Sequence, residues 1–157
     1  MRIADYLPIG AIMPNLPADS KLEALQLMVR AMDKLMYLSD VGVAERDILS
    51  REAKMTTGIG HGIAVPHARS EAAKGLQAVL ARHAAGLDWA ALDGRPVHFI
   101  VMVLSHPDSP GPHLQFLAAI ARLLNDPPVQ HALMQAETAR QIHQIVCPPK
   151  RKGLFRP

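Results

Sequence analysis

Between Val97 and Leu104 the chain reads Val-His-Phe-Ile-Val-Met-Val-Leu, apolar with almost no alternation. A strand with one wet face alternates apolar and polar residues, whereas a segment like this one is expected at the centre of a sheet, covered on both faces. Its length suits a strand and falls far short of the roughly 20 apolar residues that cross a bilayer. No other run comes near that span, so no membrane-embedded segment is expected. Leu76 to Arg82 reads as another strand, and Asp93-Gly94 as a turn ahead of the central one. With long helices towards both ends of the chain and strands in the middle, the class is α/β. A length of 157 residues suits one domain that buries a core without disulfides.

Helical spacing is clearest after Ser20-Lys21-Leu22-Glu23, which fits a capping box with Ser20 as N-cap. Leu22, Leu25, Met28, Val29, Met32, Leu35 and Met36 follow at helical intervals and predict a helix over about 21–37, its methionine stripe facing the core. A second helix is expected over 44–53 with Ile48 and Leu49 inward. A third is expected over about 113–125, after a proline-rich loop at 107–112, with Leu114, Leu117, Ile120, Ala121 and Leu124 inward. Two more are expected near 129–136 and 138–146.

The charge is uneven. Seventeen Lys and Arg stand against fourteen Asp and Glu, but Lys150, Arg151, Lys152 and Arg156 lie in the last ten residues, which hold no acid. Without them 13 basic residues face 14 acidic ones. The basic balance belongs to a tail, 148–157, and a body that grips nucleic acid is not expected. The single cysteine, Cys147, points to a reducing compartment, and the N-terminus lacks a signal-peptide layout. The expectation is a soluble cytoplasmic protein.

The segment Thr56-Thr57-Gly58-Ile59-Gly60-His61-Gly62 disfavours helix and permits a loop with positive φ and free N–H groups. It breaks the G-x-G-x-x-G pattern and no Gly-Lys-Ser/Thr follows, so a nucleotide site is unsupported. Its N–H groups can still cradle a bare phosphoryl group. Ile63-Ala64-Val65 reads as a short strand, Pro66 holds Val65 extended, and His67 is delivered at the strand end. A neutral imidazole there offers one nitrogen as a nucleophile. Arg51 can clamp phosphoryl oxygens, and His113 at a helix start can hydrogen-bond them. His83, His98, His131 and His143 lie in no motif and read as surface or structural residues, as does His106. His61 and His67 form a conceivable metal pair, but no cysteine or carboxylate pattern completes it.

The run from Arg51 to His67, Arg-Glu-Ala-Lys-Met-Thr-Thr-Gly-Ile-Gly-His-Gly-Ile-Ala-Val-Pro-His, resembles the active-site signature of the IIA proteins of the bacterial phosphoenolpyruvate-dependent sugar phosphotransferase system, in their fructose/mannitol/nitrogen-regulatory branch. His113-Leu114 with Leu117 and Ala121-Arg122-Leu123-Leu124 is similar to that family's second-histidine helix, and Asp93-Gly94-Arg95-Pro96-Val97 to the turn before its central strand. The resemblance spans nearly the whole chain and leans to the nitrogen-regulatory members.

The resemblance implies a single EIIA type 2 domain over 1–147, with a central mixed β-sheet flanked by helices, followed by the basic tail at 148–157. It implies that His67 is phosphorylated, on Nε2, with Arg51 and His113 assisting. Thr57, Gly58, Gly60 and Gly62 would form a phosphoryl-binding loop. The donor would be HPr or its nitrogen-branch counterpart. The acceptor would be a IIB cysteine in sugar transport, or a regulated target protein would respond to the phosphorylation state instead. No cofactor, metal or nucleotide is implied. Some transport members carry a carboxylate where this chain has His61, and no role is assigned there. A histidine-based metal-binding protein is the remaining alternative.

Overall fold

The computed structural model describes residues 1–108 and 110–149. After two short 3-10 turns come β1 (Ile12–Met13), α1 (Lys21–Lys34), α2 (Val41–Lys54), β2 (Gly58–Gly60), β3 (Ile63–Ala64), β4 (His67–Arg69), β5 (Gln77–Leu87) and β6 (Val97–Ser105). Three helices close the order, α3 (Pro110–Leu124), α4 (Pro127–Gln135) and α5 (Ala139–Val146). The sheet runs β1-β5-β6-β3-β2, with β4 also paired to β6. It is mixed: β5 and β6 are antiparallel, while β3 and β4 both lie parallel to β6. From Phe99 to Ser105 every residue of β6 is buried, which only a strand covered on both faces achieves. The helices supply the cover: α1 packs on β5 and on α2, α2 on β4, α3 on β6 and α5 on β1.

The helix ends follow local chemistry. Ser20 accepts from the Glu23 N–H at 3.1 Å and opens α1. The helix closes at Lys34, short of Tyr37, because Met36 turns left-handed at φ 63°. The Met36 N–H then bonds the Asp33 carbonyl and the Tyr37 N–H the Met32 carbonyl, a Schellman pair built without glycine. Met28 and Met32 are core residues as expected, but Met36 and Leu22 are exposed. α2 starts three residues earlier than expected, since Asp40 caps it through the Val43 N–H. α3 also starts early, at Pro110, and its Leu114 is exposed rather than inward. Thr138 and Gln141 form a full capping box at α5.

The glycine segment is a hairpin, not a loop. Gly58 pairs with Ala64 and Gly60 with Ile63. The two residues between, His61 (φ 56°) and Gly62 (φ 79°), both have positive φ, the condition of a type I′ connection. β1 and β4 were not anticipated; each is too short to show a period and forms by pairing alone. Of the basic tail, residues 150–157 lie outside the described residues.

Candidate active site

β3 and β4 form one broken strand along β6. Ala64 lies opposite Ile100 and His67 opposite Val103. Pro66, in the break, has no N–H to give, but its carbonyl accepts the Val103 N–H at 2.9 Å and carries the ladder across. His67 therefore opens β4. By the two-residue period of a strand, Arg69 shares its face while Ala68 points to the core. Over that face lie the last turns of α2 and the first turn of α3. The result is an open cleft of about 430 Å³ lined by Asp47, Arg51, Lys54, His67, Arg69 and His113.

The His67 ring is half-buried and fixed. Its Nδ1 lies 2.7 Å from the Val65 carbonyl oxygen. A carbonyl only accepts, so Nδ1 carries the proton and Nε2 keeps its lone pair. Burial lowers the His67 pKa below the ordinary value; the Val65 hydrogen bond opposes this, and the Arg51 charge adds to it. The ring is thus neutral near pH 7, the nucleophilic form.

His113 sits edge-on to His67, with ring centroids 5.7 Å apart. It is 3 % exposed, and its Nδ1 is 2.5 Å from Ser105 Oγ at the end of β6. Burial first, then the His67 and Arg69 charges, push its pKa down to about 4. Arg51, on the last turn of α2, donates through Nη1 to the Met55 carbonyl at 3.1 Å, leaving other guanidinium N–H groups towards the cleft.

The structure thus brings Arg51, His67 and His113 into one cleft. It does not bring the glycines there. The Thr57 N–H donates to Glu52 Oε1 at 2.9 Å, the Gly58 N–H to Thr56 Oγ1 at 3.1 Å and the His61 N–H to Asp93 Oδ2 at 2.9 Å. Gly60 and Gly62 face Asp93 and His98. The expected phosphoryl cradle of free loop amides is corrected for Thr57 and Gly58, whose N–H groups are taken by side-chain acceptors. Gly60 pairs with Ile63 in the hairpin, and neither it nor Gly62 lines the cleft. Arg69 supplies cleft charge that the sequence reading missed, although its place two residues beyond His67 in an extended segment was the signal for it. Beside the cleft, Met55, Ile59, Leu92 and Leu117 make an apolar shelf that reaches His67, with Met55, Ile59 and Leu92 exposed.

The other histidines are structural or exposed. Ring nitrogens of His83, His98 and His143 bond the carbonyls of Ala18, His83 and Leu7 at 2.7, 3.0 and 2.9 Å. His131 is exposed and His106 lies 3.2 Å from Asp108. His61 lines a separate cleft with Arg122 and Asn125, so the suggested His61–His67 metal pair is not assembled. Among the described residues no three His, Cys, Asp or Glu side chains are grouped to hold a metal ion, and no helix is long and apolar enough to cross a membrane.

A mixed sheet here delivers one neutral histidine into an open basic cleft. The chain belongs to the family of the phosphoenolpyruvate-dependent sugar phosphotransferase system, EIIA 2, whose model matches residues 5–147. Members of this family are phosphotransfer proteins. The chain is 32 % identical to a nitrogen regulatory protein of Bradyrhizobium diazoefficiens, covering 95 % of this chain and 97 % of that one. It is 31 % identical to the fructose-specific EIIABC component of Bacillus subtilis over 93 % of its own length, but spans only 23 % of that larger protein. The fold matches the nitrogen regulatory protein IIA-Ntr of Neisseria meningitidis with a TM-score of 0.86 and 24 % identity, covering 92 % and 98 % of the two chains. It also matches the mannitol IIA enzyme of Escherichia coli, solved in complex with phosphorylated IIB, with a TM-score of 0.76 and 17 % identity over 87 % and 94 %.

Proposed function

We propose that this protein is a phosphohistidine carrier in which His67 accepts a phosphoryl group from the phosphohistidine of an HPr-type protein, and that it serves as a nitrogen-type regulatory IIA protein. The observation that carries this reading is the Val65 carbonyl on His67 Nδ1, which leaves Nε2 as the free nucleophile in a basic cleft. In the transfer, the Nε2 lone pair forms the new N–P bond in line. The electron pair of the breaking N–P bond returns to the donor imidazole. Arg51 and Arg69 offset the charge of the moving group. In the tautomer whose Nδ1 accepts from the Ser105 hydroxyl, His113 carries its proton on Nε2, and that N–H hydrogen-bonds a phosphoryl oxygen. Among the described residues the cleft is open, and its apolar shelf suits contact with another protein. Both features favour a macromolecular donor.

The test is incubation with phosphorylated HPr-type carriers of both branches. Acid-labile, alkali-stable label that disappears in His67→Ala is the expected result; label that survives this substitution overturns it.

A sugar-transport role, passing the phosphoryl group to a IIB cysteine, is the second reading. It is supported by the similarity to the fructose-specific component, and the likeness to the mannitol IIA fold agrees with it. The regulatory reading is put first on the resemblance to nitrogen regulatory relatives. The length of the match does not separate the two readings, since a fructose-specific EIIA component of Haloferax volcanii is matched over 92 % of this chain and 94 % of that one. Rapid discharge onto a IIB cysteine would favour transport. A phosphoryl group adds about −1.5 to −2 charges at neutral pH, enough to alter recognition by a regulated target.

A further inference from the structure

We infer that Glu52 is a positioning residue for His67: its carboxylate anchors Thr57, Thr57 anchors Val65, and Val65 sets the His67 tautomer. Each link is a hydrogen bond in the structure. Glu52 Oε1 accepts from the Thr57 N–H at 2.9 Å, and Oε2 accepts from Thr57 Oγ1 at 2.6 Å. The Thr57 carbonyl accepts the Val65 N–H at 3.0 Å. The Val65 carbonyl accepts from His67 Nδ1 at 2.7 Å.

The site around Glu52 is built for a carboxylate. Glu52 is 6 % exposed and follows Ala44 and Ile48 at four-residue intervals on the core stripe of α2, where an apolar side chain would be ordinary. Its remaining partners are Lys21 Nζ at 2.7 Å and Trp89 Nε1 at 3.1 Å, so two oxygens take four donors from three parts of the chain. Burial alone would raise the carboxyl pKa, but the Lys21 and Thr57 hydrogen bonds hold it below the usual glutamate range, so it is ionised near pH 7. Arg51 is its neighbour on α2. One helical turn therefore aims a guanidinium into the cleft and a carboxylate at the peptide that holds the His67 ring.

This inference rests on the proposed phosphoryl transfer only for its rate readout. Its structural readout is the imidazole tautomer, measured by 15N NMR on the full chain with labelled histidine and no phosphoryl donor, His67 being assigned by its loss in His67→Ala. The native chain is expected to show a protonated Nδ1 and a bare Nε2. Glu52→Ala is expected to give mixed tautomers, to lower acceptance from the phosphorylated carrier by about tenfold or more, and to place some phosphate on Nδ1. Glu52→Gln, whose amide can still accept from the Thr57 N–H and bond its hydroxyl, is expected to restore the tautomer and bring the rate within about threefold of native. A folded Glu52→Ala chain with native tautomer and rate overturns the inference. So does a Glu52→Gln chain as impaired as Glu52→Ala, because charge rather than position would then matter. Should Glu52→Ala not fold, Glu52→Asp decides: it keeps the charge but draws the carboxylate back by one methylene, and native behaviour in it overturns the inference. A native chain that takes no label from the carrier, with the tautomer effect intact, sinks the phosphocarrier reading alone.

Discussion

His67 and His113 meet edge to face, with ring centroids 5.7 Å apart and planes at 62°, from strands and helices more than forty residues apart in sequence. Burial lowers the pKa of both, and His67 adds to the lowering at His113. Uptake of label from the carrier is therefore expected to stay level as pH falls through the ordinary histidine value of about 6.5 and to drop only below it. A rate profile with its midpoint at or above that value would contradict a neutral, buried nucleophile.

Acid should weaken the fold through His113. Its folded pKa of about 4 lies below the unfolded value of about 6.5, so above that range neither state binds the proton and nothing is lost. Between the two values the unfolded chain protonates first and is favoured. Moving from pH 7 to pH 4.5 should cost roughly 2 kcal/mol from this residue. Urea unfolding of the native chain and His113→Gln at both pH values measures it: the variant should lose less stability on acidification by about that amount.

Arg69 is exposed on β4 and touches the cleft by charge more than by packing. Arg69→Ala should leave stability within about 0.5 kcal/mol. It should raise the His113 pKa, because one of the charges that lowers it is gone. Phosphoryl acceptance should fall roughly fivefold, the effect of about 1 kcal/mol of lost charge interaction, and less at high salt. NMR titration of His113 and label uptake at two ionic strengths check both.

Gly58 has a packing duty. A Cβ placed there would lie 2.8 Å from Ala91 Cβ and 2.9 Å from Ala91 Cα, so backbone would have to move. Gly58→Ala should destabilise by about 1–3 kcal/mol. A thermal melt showing no loss would mean that the 91 segment yields freely.

What could be read from the chain depended on the range of the signal. Val97–Leu104 announced β6 because burial on both faces leaves a local mark, and Ser20 announced α1 because capping spans three residues. Asp40 leaves the same kind of mark before α2. β4 carries no mark: His67, Ala68 and Arg69 become a strand only through Val103, Leu104 and Ser105. The glycines suggested donors for phosphate, but a type I′ turn and a close approach to Ala91 account for Gly62 and Gly58. Glu52 was legible in principle as a carboxylate on an apolar stripe, yet its partners Lys21, Thr57 and Trp89 are gathered only by the fold.

That gathering bears on how the protein can come into being. The ring of His67 is oriented through contacts that begin at residue 21 and reach residue 89, and its facing imidazole arrives only at residue 113. During synthesis, the motif from Arg51 to His67 emerges before Trp89 and His113, which complete its supports and its cleft. A nascent or truncated chain ending before α3 would carry the signature without the complete cleft. Acquisition of phosphate would then report that the whole domain had folded, not merely that the motif had been made.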